Sequence, residues 1–146
     1  MTQAIAYLGF NGNCAQAVRF YEGVLGLGAK LEQLLSGADT PMADQIPKEY
    51  RHRIIHARLR FDDGSYLFAG DAPAQAAYEG IKSVSIAMNY PTVAEAERVF
   101  KALAAGGTVT MPQQSTMWAK SCGMLTDRFG TPWIINGELQ GEYVLR

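Results

Sequence analysis

The side chains of this 146-residue chain best suited to chemistry cluster in one short stretch. In Ile55-His56-Ala57-Arg58-Leu59-Arg60-Phe61 the odd positions are apolar and the even ones basic. A period of two puts His56, Arg58 and Arg60 on one face of a strand and the apolar residues on the other. An imidazole can serve as a general base or a lone metal ligand. The plainer role is a structural histidine hydrogen-bonded to its surroundings, and the sequence assigns His56 no acidic partner. Just upstream runs Lys48-Glu49-Tyr50-Arg51-His52-Arg53; with Arg58 and Arg60 it concentrates five of the 13 Lys and Arg. Guanidinium groups suit carboxylate and phosphate ligands. A solvated loop or a salt-bridged strand face is the more ordinary meaning of such a cluster.

Other candidates lie further along. In the strand expected over 118–126, Trp118, Lys120, Cys122 and Met124 share a face, and Trp118 beside Lys120 offers a surface on which a ligand can stack. Trp133 falls on the opposite side and reads as core. Asn136 shares a face with Ile134 and can hydrogen-bond a ligand or close a strand end. Cys122 is a lone thiol with no assignable base, weak grounds for a nucleophile. Gly12, Gly26, Gly28, Gly106 and Gly107 form no nucleotide-binding loop after a strand, which counts against methyl transfer from a nucleotide-like donor. Asp62-Asp63-Gly64 is too short for a calcium loop and reads as a hairpin turn.

The elements that must position these groups repeat. At an offset of 79, Ala15 falls on Ala94, Ala17 on Ala96, Arg19 on Arg98, Gly28 on Gly107 and Tyr21 on Phe100. At an offset of 66, Gly64 falls on Gly130 and Leu67 on Trp133. The first half thus carries an insertion around Ser36–Arg53, where turn-forming residues gather. Each half reads as strand, helix, then three strands. The first has strands over 3–10, 29–35, 54–61 and 65–70, with a helix over 13–25 capped by Asn13 and stopped by Gly26 and Gly28. The second has strands over 83–89, 108–111, 118–126 and 132–136, and a helix capped by Thr92 with Val93, Ala96, Val99, Phe100 and Leu103 in one stripe. Helix coverage of one sheet face sends Ile55, Ala57, Leu59, Phe61, Val84, Ile86 and Met88 inward. Ser83, Ser85, Ala87 and Asn89 then join His56, Arg58 and Arg60 on the open, concave faces.

Composition excludes several classes. A formal net charge of −1 leaves no global basic field for nucleic acid. No apolar run approaches the roughly 20 residues of a membrane span, and the first residues lack a signal peptide's basic and apolar regions. Cys14 and Cys122 fit no zinc spacing and read as free thiols in a reducing, cytoplasmic setting.

Two segments carry a resemblance. Tyr7-Leu-Gly-Phe-Asn-Gly-Asn-Cys-Ala-Gln-Ala-Val-Arg-Phe-Tyr21 and Thr126-Asp-Arg-Phe-Gly-Thr-Pro-Trp-Ile-Ile-Asn136 resemble the first strand and helix, and the last hairpin, of PhnB-like (demethylubiquinone methyltransferase-like) proteins. Met117-Trp118-Ala119 and His56-Ala57 fit the same pattern. These proteins are a branch of the vicinal oxygen chelate superfamily, which includes glyoxalases, bleomycin-resistance proteins and dihydroxybiphenyl dioxygenases. The resemblance implies an α+β fold of two βαβββ repeats, forming a curved mixed sheet with helices on its convex side. It implies one domain over 1–146, with modules at 1–72 and 80–137 and a tail at 138–146, usually in a homodimer. In metal-using members, four ligands from the first and fourth strands of each half hold a divalent ion. Carried over, those places fall on Ala6, Phe68, Ser85 and Ile134. None supplies an imidazole or carboxylate, so no metal is expected.

Two functions follow as expectations. One is a metal-free small-molecule binder with a cleft lined by His56, Arg58, Phe68, Ser85, Trp118, Lys120 and Asn136. The other is a lyase or isomerase in which His56 moves a proton or ligates a divalent metal, and basic residues stabilise an oxyanion. No membrane or nucleic-acid partner is expected.

Overall fold

The computed structural model describes residues 2–73 and 75–141 and divides the chain into two compact units, 1–82 and 83–146. The first unit contains β1 (Tyr7–Phe10), α1 (Cys14–Val24), β2 (Lys30–Ser36), β3 (Ile54–Arg60) and β4 (Tyr66–Asp71). The second contains β5 (Ile86–Tyr90), α2 (Val93–Ala104), β6 (Thr108–Gln114), β7 (Ala119–Thr126) and β8 (Pro132–Leu139). Each is one four-stranded mixed sheet, in the orders β1-β4-β3-β2 and β5-β8-β7-β6. In both, the first strand runs parallel to the fourth and the other neighbours are antiparallel. The βαβββ order read from the sequence is therefore present twice, as two separately hydrogen-bonded sheets.

The helices form where apolar residues recur at helical spacing. Cys14, Ala17, Val18 and Tyr21 bury one stripe of α1; Ala96, Val99, Phe100 and Leu103 bury one of α2. Thr92 caps α2 through Oγ1, which accepts from Glu95 N at 3.2 Å. Asn13 stands at the start of α1, but its side chain makes no capping bond. A distant carboxylate does that work: Asp71 Oδ1, at the end of β4, accepts from Gly12 N at 2.8 Å and Cys14 N at 3.1 Å. In the second unit Glu138 Oε2 accepts from Val93 N at 3.3 Å. Both helix N-termini are thus closed by a carboxylate from the last strand of their own unit. After α1, Gly28 takes φ +70°, and a Cβ there would strike the Asp62 carboxylate of the following hairpin.

Several expectations need correction. β1 begins at Tyr7 and β5 at Ile86, where their residue-by-residue register with β4 and β8 starts. Val84 is exposed ahead of β5, as are Ser83 and Ser85. Ile55 does not face the helix. Leu35 pairs with His56 but Ser36 with Ile54, so Ile55 is the extra residue of a bulge. The bulge turns Ile54 inward (5% exposed) and leaves Ile55 46% exposed, while Ala57, Leu59 and Phe61 stay buried. The expected tail is partly strand, since β8 continues through Glu138 and Leu139; residues 142–146 lie outside the described residues. The insertion folds as three single 3₁₀ turns, Gly37–Asp39, Ala43–Gln45 and Lys48–Tyr50. Trp133 is core, as expected: it is 1% exposed, and its Nε1 donates to buried Asp127 Oδ2 at 2.8 Å. Among the described residues, no helix is long and apolar enough to cross a membrane.

Candidate functional site

On the helix-free face of the first sheet, four aromatic rings gather across three strands. Tyr7 comes from β1, Tyr66 and Phe68 from β4, and His56 from β3. Phe68 is the hub, with ring centroids 4.9 Å from His56, 5.8 Å from Tyr66 and 6.4 Å from Tyr7. The His56 and Tyr7 contacts with Phe68 are edge-on, the arrangement favoured by aromatic quadrupoles. His56, Tyr66 and Phe68 are half-buried and Tyr7 is 53% exposed.

Tyr7 reaches His56 by crossing an entire strand, since β4 lies between β1 and β3. Its Oη donates to the Ile55 carbonyl at 2.9 Å and lies 3.2 Å from His56 Nδ1. Gly70 of β4 makes the crossing possible: a Cβ there would sit 2.8 Å from Tyr7 Oη and 3.0 Å from the Ile55 oxygen. Ile55 has no partner of its own in β2, being the bulge residue. Partial burial pushes the ionisation of the Tyr7 hydroxyl up, so it keeps its proton at neutral pH.

The basic residues are mostly committed to structure. Arg58 Nε lies 3.3 Å from Glu32 Oε2, and Arg60 Nη1 lies 3.5 Å from Glu32 Oε1, so one carboxylate serves both. Arg58 also reaches the Tyr66 ring, 5.9 Å from its centroid. Arg51 donates to the Ile46 carbonyl; Arg53 donates to the Ala72 carbonyl and Asn11 and lies over Tyr50. Lys48–Arg53 thus stitches the insertion to the sheet. A cavity of about 360 Å³ lies under that insertion, walled by Ile46, Pro47, Tyr50, Arg53, Ile54 and Ala72 among others. Tyr50 and Arg53 of the basic segment line it, whereas His56, Arg58, Phe68, Ser85, Trp118, Lys120 and Asn136 do not.

The second unit carries a separate polar row. Trp118 Nε1 donates to Asn136 Oδ1 at 3.3 Å, and Asn136 Nδ2 donates to Asn89 Oδ1 at 3.0 Å. Cys122 pairs with Asn136 across the strands and is fully buried, which pushes its thiol ionisation up. Lys120 pairs with Glu138 at 3.1 Å. Within this unit Trp118 and Asn136 come together, whereas Ser85 stands apart, exposed ahead of β5.

The four places that the resemblance implies for metal ligands can be located on the strands. Phe68 lies opposite Tyr7, and Ile134 opposite Ala87. Ala6 and Ser85 fall just outside their strands. None of Ala6, Phe68, Ser85 and Ile134 is an imidazole or carboxylate donor, nor are Tyr7 and Ala87 opposite Phe68 and Ile134, and among the described residues no three His, Cys, Asp or Glu side chains come together. The residues present do not fit a divalent metal.

Two βαβββ units with this strand order define the vicinal oxygen chelate fold, shared with solved domains of the glyoxalase/bleomycin-resistance/dioxygenase kind. Residues 2–136 match the family described as 3-demethylubiquinone-9 3-methyltransferase, and the chain belongs to that family. Protein YjdN of Escherichia coli (strain K12) is 33% identical over 139 residues, covering 89% of this chain and 91% of that protein. Protein PA1353 of Pseudomonas aeruginosa is 45% identical, with a TM-score of 0.85 over 94% of this chain and 98% of that one. The PhnB protein of Bacillus cereus shares the fold at 21% identity and a TM-score of 0.74, over 92% and 98% of the two chains.

The family's description names a methyltransferase, yet neither strand-to-helix connection offers a glycine-rich loop for a nucleotide-like methyl donor. The connections from β1 to α1 and from β5 to α2 are Asn11–Asn13 and Pro91–Thr92, too short for a glycine-rich cradle. A helix N-terminus would otherwise suit an anionic group. Here Asp71 and Glu138 already take the amides of Gly12, Cys14 and Val93.

Proposed function

We propose that this chain is a small-molecule-binding member of its family, holding its ligand on the helix-free face of the first sheet without a divalent metal. The ligand contacts are His56, Arg58, Tyr66, Phe68 and Tyr7. The observation that carries this reading is the His56–Phe68–Tyr7 cluster. It is an aromatic patch reached by a side chain that crosses a strand, and it stays half-exposed where a purely structural cluster would be covered. Trp118, Lys120 and Asn136 offer a second contact surface of the same kind on the other unit; Ser85, outside its strand, offers only a hydroxyl. A homodimer in the cytoplasm, in keeping with two free thiols, belongs to the same proposal.

A panel of small aromatic and hydroxylated fragments, screened by NMR chemical-shift mapping on the full chain, tests it. Binding that moves Tyr7, His56 and Phe68 resonances and weakens in Arg58→Ala and Phe68→Ala is the expected result. Hits confined to the cavity under the insertion would overturn it. Light scattering at micromolar concentration tests the dimer, and a monomer would remove that part.

A further inference from the structure

The aromatic cluster fixes a property of His56 that its ionisation alone would not. A phenol hydroxyl has one hydrogen and a neutral imidazole has one N–H. The Ile55 carbonyl can only accept, so its 2.9 Å contact with Tyr7 Oη takes the phenol hydrogen. Tyr7 Oη can then only accept at the 3.2 Å contact with His56 Nδ1, so the imidazole hydrogen must lie on Nδ1. We infer that Tyr7 is a positioning residue that locks neutral His56 in the Nδ1–H tautomer, leaving the Nε2 lone pair as a hydrogen-bond acceptor for ligand. Among the described residues Nε2 has no protein partner. Ligands presenting an O–H or N–H beside the Phe68 edge are therefore selected over isosteres that can only accept. This rests on the reading of the face as a ligand surface.

Three features of the chain act together to hold the lock. Ile55 has no partner residue in β2, and the β3–β4 register starts only at Ala57. Gly70 clears the path of Tyr7 over β4. Phe68, 4.9 Å from the imidazole centroid and 75° to its plane, limits ring rotation. A bare histidine on an open strand face would have none of these constraints and would exchange tautomers freely.

The test is long-range ¹H–¹⁵N NMR of the full chain, at a pH where His56 is neutral, with phenol and its methyl ether anisole as probes. The expected spectrum shows His56 protonated at Nδ1, with Tyr7→Phe and Gly70→Ala each returning the ring toward a tautomer mixture. Gly70→Ala keeps the hydroxyl but obstructs its path, so the two variants separate loss of the group from loss of its placement. Phenol should bind about fivefold tighter than anisole, a ratio of the size one net hydrogen bond gives, and lose that margin in Tyr7→Phe. An Nε2–H ring in the wild type, or a ring unmoved in both variants, overturns the lock. Equal binding of the probes overturns the selectivity. If neither probe shifts any resonance on this face, the ligand-surface reading fails, while the wild-type spectrum still decides the lock.

Discussion

Removing the Asp71 carboxylate should do more damage than its half-exposed position suggests. Its Oδ1 accepts from Gly12 N and Cys14 N at 2.8 and 3.1 Å, and its Oδ2 from Ile54 N at 2.7 Å. One side chain therefore caps α1 and secures the bulged start of β3. Bonds to a charged acceptor contribute about 1.5–3 kcal/mol each, and a lost helix cap costs about 1 kcal/mol. The three are not additive, because water can reach the half-exposed Gly12 in the variant. It cannot easily reach Ile54, which is 5% exposed. For Asp71→Ala the expected loss is about 3 kcal/mol, or about 9 °C in Tm for a chain of this size. Urea denaturation of Asp71→Ala and Asp71→Asn measures it, with Asn retaining part because one oxygen remains. Emptying the cap should also create an anion site at the α1 N-terminus, so millimolar phosphate should stabilise Asp71→Ala more than wild type. A loss under about 1 kcal/mol with no phosphate effect would refute the assignment of these bonds.

Other consequences are as direct. Trp133→Phe deletes the indole donor to buried Asp127 and should cost about 2–3 kcal/mol by denaturation, whereas a neutral change would mean Asp127 is satisfied without it. Both thiols should resist alkylation in the native state at pH 8 and react on unfolding: burial, with Asp71 beside it, pushes Cys14 up to about 12, and burial pushes Cys122 up. Rapid native labelling of either would contradict their packing. Glu138 is held below its ordinary 4.5, first by the hydrogen bond from Lys120 and then by Val93 N. Its contribution is therefore complete above that value and lost as pH falls through the lower folded one. Glu138→Gln should flatten the acid limb of the stability profile, and an unchanged limb would deny the linkage.

Much of this fold was legible because the pattern repeats. The βαβββ order, both hairpins, the helix stripes and the core position of Trp133 follow from periodicity and glycine placement. The insertion was legible from two offsets, 79 and 66, that disagree. Three things were not. Alternation through Ile55 gives no hint that a bulge turns it outward, since a bulge is a property of two strands and not of one. The Asp71 cap spans 57–59 residues, beyond any local capping signal, and left Asn13 as the only visible candidate. The role of Tyr7 depends on a strand order that the sequence does not state. Gly70 was its available sign, because a glycine inside a strand often marks the close approach of another group. Of the site residues, His56, Arg58 and Phe68 do come together on one face, and Trp118 and Asn136 on another. Ser85 is exposed and precedes β5, which starts one residue later.

The proposal stands or falls on a ligand held by aromatic, imidazole and guanidinium contacts on the first sheet, with no divalent metal. Metal content of the untagged protein, measured by inductively coupled plasma mass spectrometry after exposure to nickel, zinc, iron and manganese, tests it most directly. Far less than one metal per chain and unchanged His56 resonances are expected. Near-stoichiometric metal that shifts His56 would contradict it, and would make that imidazole a ligand.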